Sequence, residues 1–505
     1  MTLARSPKTV ASSSSRAPWG LHWFRRDLRV AGNPALRWSQ REHGGRVLGV
    51  FCFDAKFLGR PDFSADRFAF FLATLAALRD DLRAAGGDLL VLDEGPAPAF
   101  ERLVAALDAR HLARPATVSW NRDYEPFARA RDAAMTEQLG RAGVAVHTAC
   151  DHLVVEPDEL RKPEARGGAP TFYQVYTPFA RRWFELLATS RVEARLDEQR
   201  AGLADLERPP RAGRPPFTLT WPALFGGAPP LADHLERFTA ANARRVQVPI
   251  PRAGARAALE RLRAFAPRLP DYKSRRDLPA EDGTSRLSMF FKNGSLTPAQ
   301  AIVGLGLPGA AFGAGTGPST FLRELAWREF YYHVLWHRPD VEGRAFLPGA
   351  RRLEWEDRED WFDAWRAGRT GYPIVDAGMR QLAATGWMHN RVRMIVASFL
   401  TKDLLIDWRR GERWFMERLL DGDLAPNNGG WQWAASTGCD AQPYFRVFNP
   451  VLQGRRFDPT GAYVRAWVPE RRGDSAAEVH EPRGPIVDHA TQKARALALF
   501  RAAAP

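Results

Sequence analysis

The sequence predicts an α/β domain joined through a long connector to an all-α domain. Three observations lead there. Short apolar runs at 21–24, 47–53, 89–92, 117–120 and 144–147 alternate with helical patterns, and strands separated by helices read as a parallel sheet. Residues 151–283 lose that alternation and are rich in proline, as at Pro209, Pro210, Pro215, Pro216, Pro229 and Pro230. From residue 284 onward apolar residues recur at helical spacing and no strand pattern returns. The expected boundaries are a disordered tail over 1–18, an α/β domain over 19–150, a connector with some helices over 151–283, and a helical domain over 284–495.

Individual elements follow from local chemistry. Helices are expected over 64–85 and 126–140, the first capped by Ser64 ahead of Ala65 and Asp66. In the second half the helical patterns cover 321–336, 376–385, 391–407 and 411–420. The tail holds Arg5, Lys8 and Arg16 with a run of serines, and lacks the apolar stretch of a secretion signal. No run of about 18 apolar residues predicts a membrane span. Cys52, Cys150 and Cys439 lie far apart without metal-binding spacing, which suits a reducing cytoplasm. The letters of residues 304–309 match a dinucleotide fingerprint, but a helical stretch precedes them where the fingerprint needs a strand. His333 and His337 share a helix face without the glutamate that zinc proteases place beside the first histidine.

Charge and aromatic content narrow the function. A net charge of +14 makes a long polyanion the natural partner. Seventeen Trp stand against nine Tyr, mostly in the second half. Indoles fill cores, and in clusters they also carry electrons or stack on bases.

Several long motifs occur in order. They are Trp23 to Arg29, Asp282 to Ser288, Glu324 to Phe330, Gly386 to Arg391 with Arg393 and Met394, and Asp421 to Asp423 followed by Asn427 to Trp433. Together they resemble the photolyase/cryptochrome family, closest to bacterial class I cyclobutane-dimer photolyases. The resemblance covers residues 20 to 500. It implies a Rossmann-like parallel-sheet antenna domain, a linker, and a helical domain holding reduced FAD. It also implies a monomer acting on UV-damaged DNA, with electron transfer from the excited flavin opening the dimer. The alternative is a cryptochrome-like photoreceptor without repair. Asn427 favours repair, because plant cryptochromes carry Asp and animal ones Cys there.

The resemblance assigns roles residue by residue. Tyr272, Thr284, Ser285, Arg286, Leu287 and Ser288 are expected to hold the FAD, its phosphates meeting backbone N–H groups at a helix start. Asp423 is expected at the isoalloxazine edge, with Gly422 beside it and Asp421 paired to Arg393. Asn427 is expected to face flavin N5. Trp431, Trp408 and Trp355 match an electron-supplying triad running from flavin to solvent. Glu324, Trp327, Asn390, Met394 and Trp433 match a pocket for an extruded dimer, Asn390 also reaching the flavin. Arg276, Arg328, Arg391 and Arg446 are expected on the DNA side. Residues 289–294, from Met289 to Gly294, depart from the family's usual proline and aromatic pattern. The stretch from Asp123 to Ala128 lacks the Asn-Glu pair of folate-binding members. The second chromophore is therefore left open among deazaflavin, folate, another flavin and none.

Overall fold

The computed structural model describes residues 17–162, 172–207 and 217–503. The tail expected over 1–18 falls almost wholly outside these residues, as do Pro209, Pro210, Pro215 and Pro216. Five strands form one parallel sheet: β1 (Gly20–Phe24), β2 (Val47–Cys52), β3 (Leu89–Leu92), β4 (Thr117–Asn121) and β5 (Ala145–Ala149). Their order is β3-β2-β1-β4-β5. β1, β3 and β4 are buried throughout, and β3 accordingly reads as an unbroken apolar run, while His22, Ser119 and Asn121 are buried polar residues within β1 and β4. Helices α1 (Pro34–Glu42), α2 (Ala65–Ala84), α3 (Pro96–Asp108) and α4 (Pro126–Arg141) supply the crossovers that parallel neighbours require. Ser64 caps α2 as expected, accepting from the Arg67 amide at 3.2 Å.

The connector is helical, with α5 (Tyr176–Leu187) and α6 (Ser190–Glu207). The second half holds α7 (Ser288–Asn293), α8 (Gly317–His337), α9 (Pro373–Thr385), α10 (Asn390–Ser398), α11 (Trp408–Arg418), α12 (Leu424–Ala434) and α13 (His489–Ala503). Residues 304–309 follow the helix Pro298–Gly304, so the fingerprint letters have no strand before them.

The single helix expected over 391–407 is interrupted. α10 ends at Ser398, a π-helical turn spans Phe399–Asp403, and Leu405 takes a positive φ before α11 begins. The cause is polar. Lys402 and Asp403 are fully buried. The Lys402 ammonium donates to Ser436 Oγ at 2.8 Å and the Tyr444 carbonyl at 3.2 Å. Asp403 pairs with His489 on α13 at 2.5 Å. Apolar periodicity is blind to such a demand.

The two halves share one apolar core, in which Phe70 of α2 joins Phe290, Phe330 and Leu424 of the helical domain. Gly294 marks a close approach between them. Its φ is +71°, and a Cβ there would lie 2.1 Å from the Arg26 carbonyl oxygen at the end of β1. Its own carbonyl accepts from buried Arg29 at 3.0 Å. Gly294→Ala is therefore expected to destabilise the protein by at least about 2 kcal/mol, through strain plus backbone collision. Urea unfolding with an unchanged midpoint would contradict this packing.

Candidate functional site

The site is built around one carboxylate. Asp423 sits at the N-cap of α12, and its Oδ1 accepts from Arg26 at 2.7 Å, Tyr332 at 2.6 Å and Lys292 at 3.1 Å. Arg328 lies 3.7 Å from Oδ2. Burial alone would raise this carboxyl, but Arg26, Lys292 and Arg328 outweigh it and hold it well below the usual range. Arg26 also donates to Glu125 at 2.6 Å, so the cluster ties the α/β domain to the helical one. Asp423 turns its Oδ1 towards the α/β domain. Arg328 is drawn inward, donating to the His152 carbonyl at 3.1 Å with a tenth of its side chain exposed. Arg26, Lys292 and Tyr332 were not singled out from sequence, because each makes its contact across a long chain separation.

Along α12, Asp423, Asn427 and Trp431 recur every four residues and share a face. The Asn427 amide donates to the Glu412 carbonyl at 3.0 Å, leaving its oxygen as the acceptor. Trp431 is buried, and its indole N–H has no protein partner. Gly411 of α11 lies against this ring, where a Cβ would come within 2.2 Å of it. That contact brings α11, and with it buried Trp408, close to Trp431. Trp431 and Trp408 belong to one core cluster, and half-buried Trp355 packs against its edge. Trp431 and Trp408 are equally buried, and Trp355 is more exposed than either. Trp355 meets Phe500 of α13 edge-on at 6.3 Å between ring centroids.

The segment from Asp282 to Ser288 lies beside α10. Arg261, unnoticed in the sequence, donates to the Ser285 carbonyl at 2.7 Å and the Thr284 carbonyl at 3.3 Å. In planar trans peptides this turns the N–H groups of Ser285 and Arg286 the opposite way. Arg286 takes a φ of +51° and lays its guanidinium over Trp387 at 4.5 Å. Leu287 is buried. Ser288 Oγ donates to Asp421 at 2.6 Å, and Arg393 clamps the same carboxylate at 2.9 and 3.1 Å. Asp421, not Asp423, is therefore the carboxylate joined to this loop, with Gly422 between them. α7 has only six residues, so a helix dipole contributes little and the loop's backbone amides are the phosphate donors at hand. Outward amides, an amide oxygen held in place and a buried unpartnered indole N–H fit a nucleotide cofactor with an aromatic ring system. FAD is such a group.

On the neighbouring surface, Trp327 stacks on Tyr176 at 3.6 Å, one turn along α8 from Glu324. The exposed Asn390 amide approaches Met394 Sδ at 3.9 Å, so α10 brings these two expected contacts together. Trp433 is half-buried at the edge of the core. Tyr272 is buried against Phe321, with the Arg276 guanidinium 5.5 Å from its ring centroid. Arg446 is exposed in the loop before the helix Pro450–Phe457. Among the described residues there is no cluster able to hold a metal ion.

An α/β domain closed onto a helical domain, with the loop from Asp282 to Ser288 and a series of buried indoles, fits a flavoprotein of the photolyase type. The chain belongs to the DNA photolyase family. Residues 20–198 match the family described as DNA photolyase, and residues 321–502 match the FAD binding domain of DNA photolyase. A deoxyribodipyrimidine photo-lyase of Halobacterium salinarum is 40% identical over 96% of this chain and 99% of that protein. A bacterial class III photolyase from Agrobacterium tumefaciens superimposes with a TM-score of 0.80 at 36% identity, covering 98% of this chain and 99% of its own. A cryptochrome of Synechocystis gives 0.77 at 25% identity, over 95% of this chain and 99% of its own.

Glu412, whose carbonyl orients Asn427, offers a test of the site's electrostatics. Burial pushes its carboxyl up to about 7 from an ordinary 4.5. The folded state therefore binds more protons than the unfolded one between pH 4.5 and 7, and this group's contribution to stability falls as pH rises across that window. Glu412→Gln is expected to be more stable than the parent at pH 8, by about 1–2 kcal/mol, and equal to it near pH 4.5. Melts at the two pH values check this; a gain of the same size at both would contradict it.

Proposed function

We propose that this protein is a light-dependent DNA repair enzyme that splits cyclobutane pyrimidine dimers, working as a cytoplasmic monomer. The observation that carries the reading is the face of α12, where the Asn427 amide oxygen is held as an acceptor and the buried Trp431 indole N–H has no protein partner. When bound, reduced FAD supplies the light absorption and the electron that opens the dimer. The residues around it do the rest. Thr284 to Ser288, Arg393 and Asp421 hold the cofactor, with Tyr272 and Asn390 alongside. Asn427 presents an amide oxygen as acceptor. Trp431, Trp408 and Trp355 deliver electrons inward from the surface, because neighbouring indoles can be oxidised in turn.

The lesion must leave the duplex to reach this depth. Extrusion costs a few kcal/mol, and less for a base pair already poorly stacked and paired. Trp327, Trp433 and Met394 offer apolar walls, and Glu324 accepts from pyrimidine ring N–H groups. Arg276, Arg391 and Arg446 meet phosphates, fixing register without reading sequence. The basic balance of the chain supports such a partner, and no helix among the described residues is long and apolar enough to cross a membrane.

Purified protein with reduced FAD is expected to remove dimers from an irradiated oligonucleotide under near-UV or blue light and to leave them intact in the dark. Intact dimers after illumination, with the flavin bound, would favour a light sensor instead. Trp431→Phe is expected to slow photoreduction of the flavin by at least about tenfold, by removing the innermost donor. Repair by chemically reduced protein should be spared. Equal loss of both would take Trp431 out of the electron-supply role.

A further inference from the structure

Two of the arginines assigned to DNA, Arg276 and Arg391, are held in ion pairs. Arg391 donates to Asp277 Oδ1 through Nη2 at 2.9 Å and Nε at 3.2 Å. Arg276, the preceding residue in the chain, places its Nε 3.9 Å from the same oxygen and donates through Nη1 to Glu324. Burial would lower the Arg276 guanidinium, but Glu324 and Asp277 outweigh it and raise it. Arg391, Asp277, Arg276 and Glu324 thus form a chain of alternating charge along the rim that carries Trp327. Both arginine side chains are 18% exposed, against 36% for Asp277 and 29% for Glu324. No motif had pointed to Asp277.

We propose that Asp277 is a built-in competitor for DNA phosphate and that it sets discrimination between damaged and intact DNA. The inference rests on the proposed role of Glu324 at the lesion. A carboxylate holds Arg391 with the same charge-assisted hydrogen bonds that a phosphodiester oxygen would use. Any duplex must therefore displace Asp277 before it gains Arg391. If Arg276 also turns to a phosphate, Glu324 loses its cation and stays half-buried without a partner. Intact DNA cannot repair that loss, because its pyrimidine imide N–H groups are engaged in base pairs. An extruded dimer presents ring N3–H donors to Glu324 as Arg276 departs. The cost of opening the ion chain falls on both kinds of DNA, and only the damaged kind returns part of it. Discrimination then arises from a penalty on the wrong ligand as well as from contacts to the right one.

The test uses the flavin-loaded protein in the dark, with a fluorescent duplex carrying one thymine dimer and the same duplex undamaged. Dissociation constants are measured from low to high salt for the parent, Asp277→Asn and Asp277→Glu, with flavin absorbance confirming that each variant is folded. Asp277→Asn is expected to bind undamaged duplex roughly fivefold more tightly and to gain less on the dimer, so the damaged-to-intact ratio falls. Its gain on undamaged duplex should shrink as salt rises. Asp277→Glu, which keeps the charge, should retain the parental ratio. An unchanged ratio in Asp277→Asn, or weaker binding to undamaged duplex, would overturn the inference while leaving the proposed function standing. A parent protein with no preference for the dimer would instead remove the reading of Glu324 on which the inference rests.

Discussion

Much of this structure depends on neutralising one buried carboxylate. Asp423 is desolvated, and such a group is tolerated only when paired and hydrogen-bonded. Arg26 reaches it from the α/β domain, Lys292 from α7, and Tyr332 from α8. Three segments distant in sequence are therefore fixed relative to the residue that caps α12. Removing one partner from such a cluster leaves an uncompensated charge, which is why buried pairs enforce geometry even where they add little net stability.

The functional geometry follows from that anchor. With the start of α12 fixed, Asn427 and Trp431 fall one and two turns later on the same face, by helical periodicity alone. Gly411 then allows α11 to lie against the Trp431 ring. Arg393 and Ser288 converge on Asp421, two residues before the anchor, so the loop from Asp282 to Ser288 is tied to the same point. Each functional part is thus set by its distance in the chain from Asp423.

How much was legible in the sequence depended on the range of the physics. The sheet was readable because short, mostly apolar strand segments alternate with helical patterns, and Ser64 gave away the start of α2 through a local cap. The loop from Asp282 to Ser288, the α12 face and the Arg393–Asp421 pair were reachable through motifs. The π-helical turn after Ser398 was not, because buried Lys402 and Asp403 take partners more than thirty residues away. The inward turn of Arg328, the orientation of Asp423 and the place of Asp277 were hidden for the same reason. A charged residue's partner cannot be read from its neighbours when Arg26 and Asp423 stand 397 positions apart.

The central claim is that the Arg26–Asp423 contact holds the two halves and the site together as one unit. A double-mutant cycle on Arg26→Met and Asp423→Asn measures it directly, reading unfolding free energy and flavin retention in the same preparations. The account expects a coupling energy above about 1.5 kcal/mol, with flavin lost in either single variant. Effects that add to within about 0.3 kcal/mol, with flavin retained in both, would contradict it.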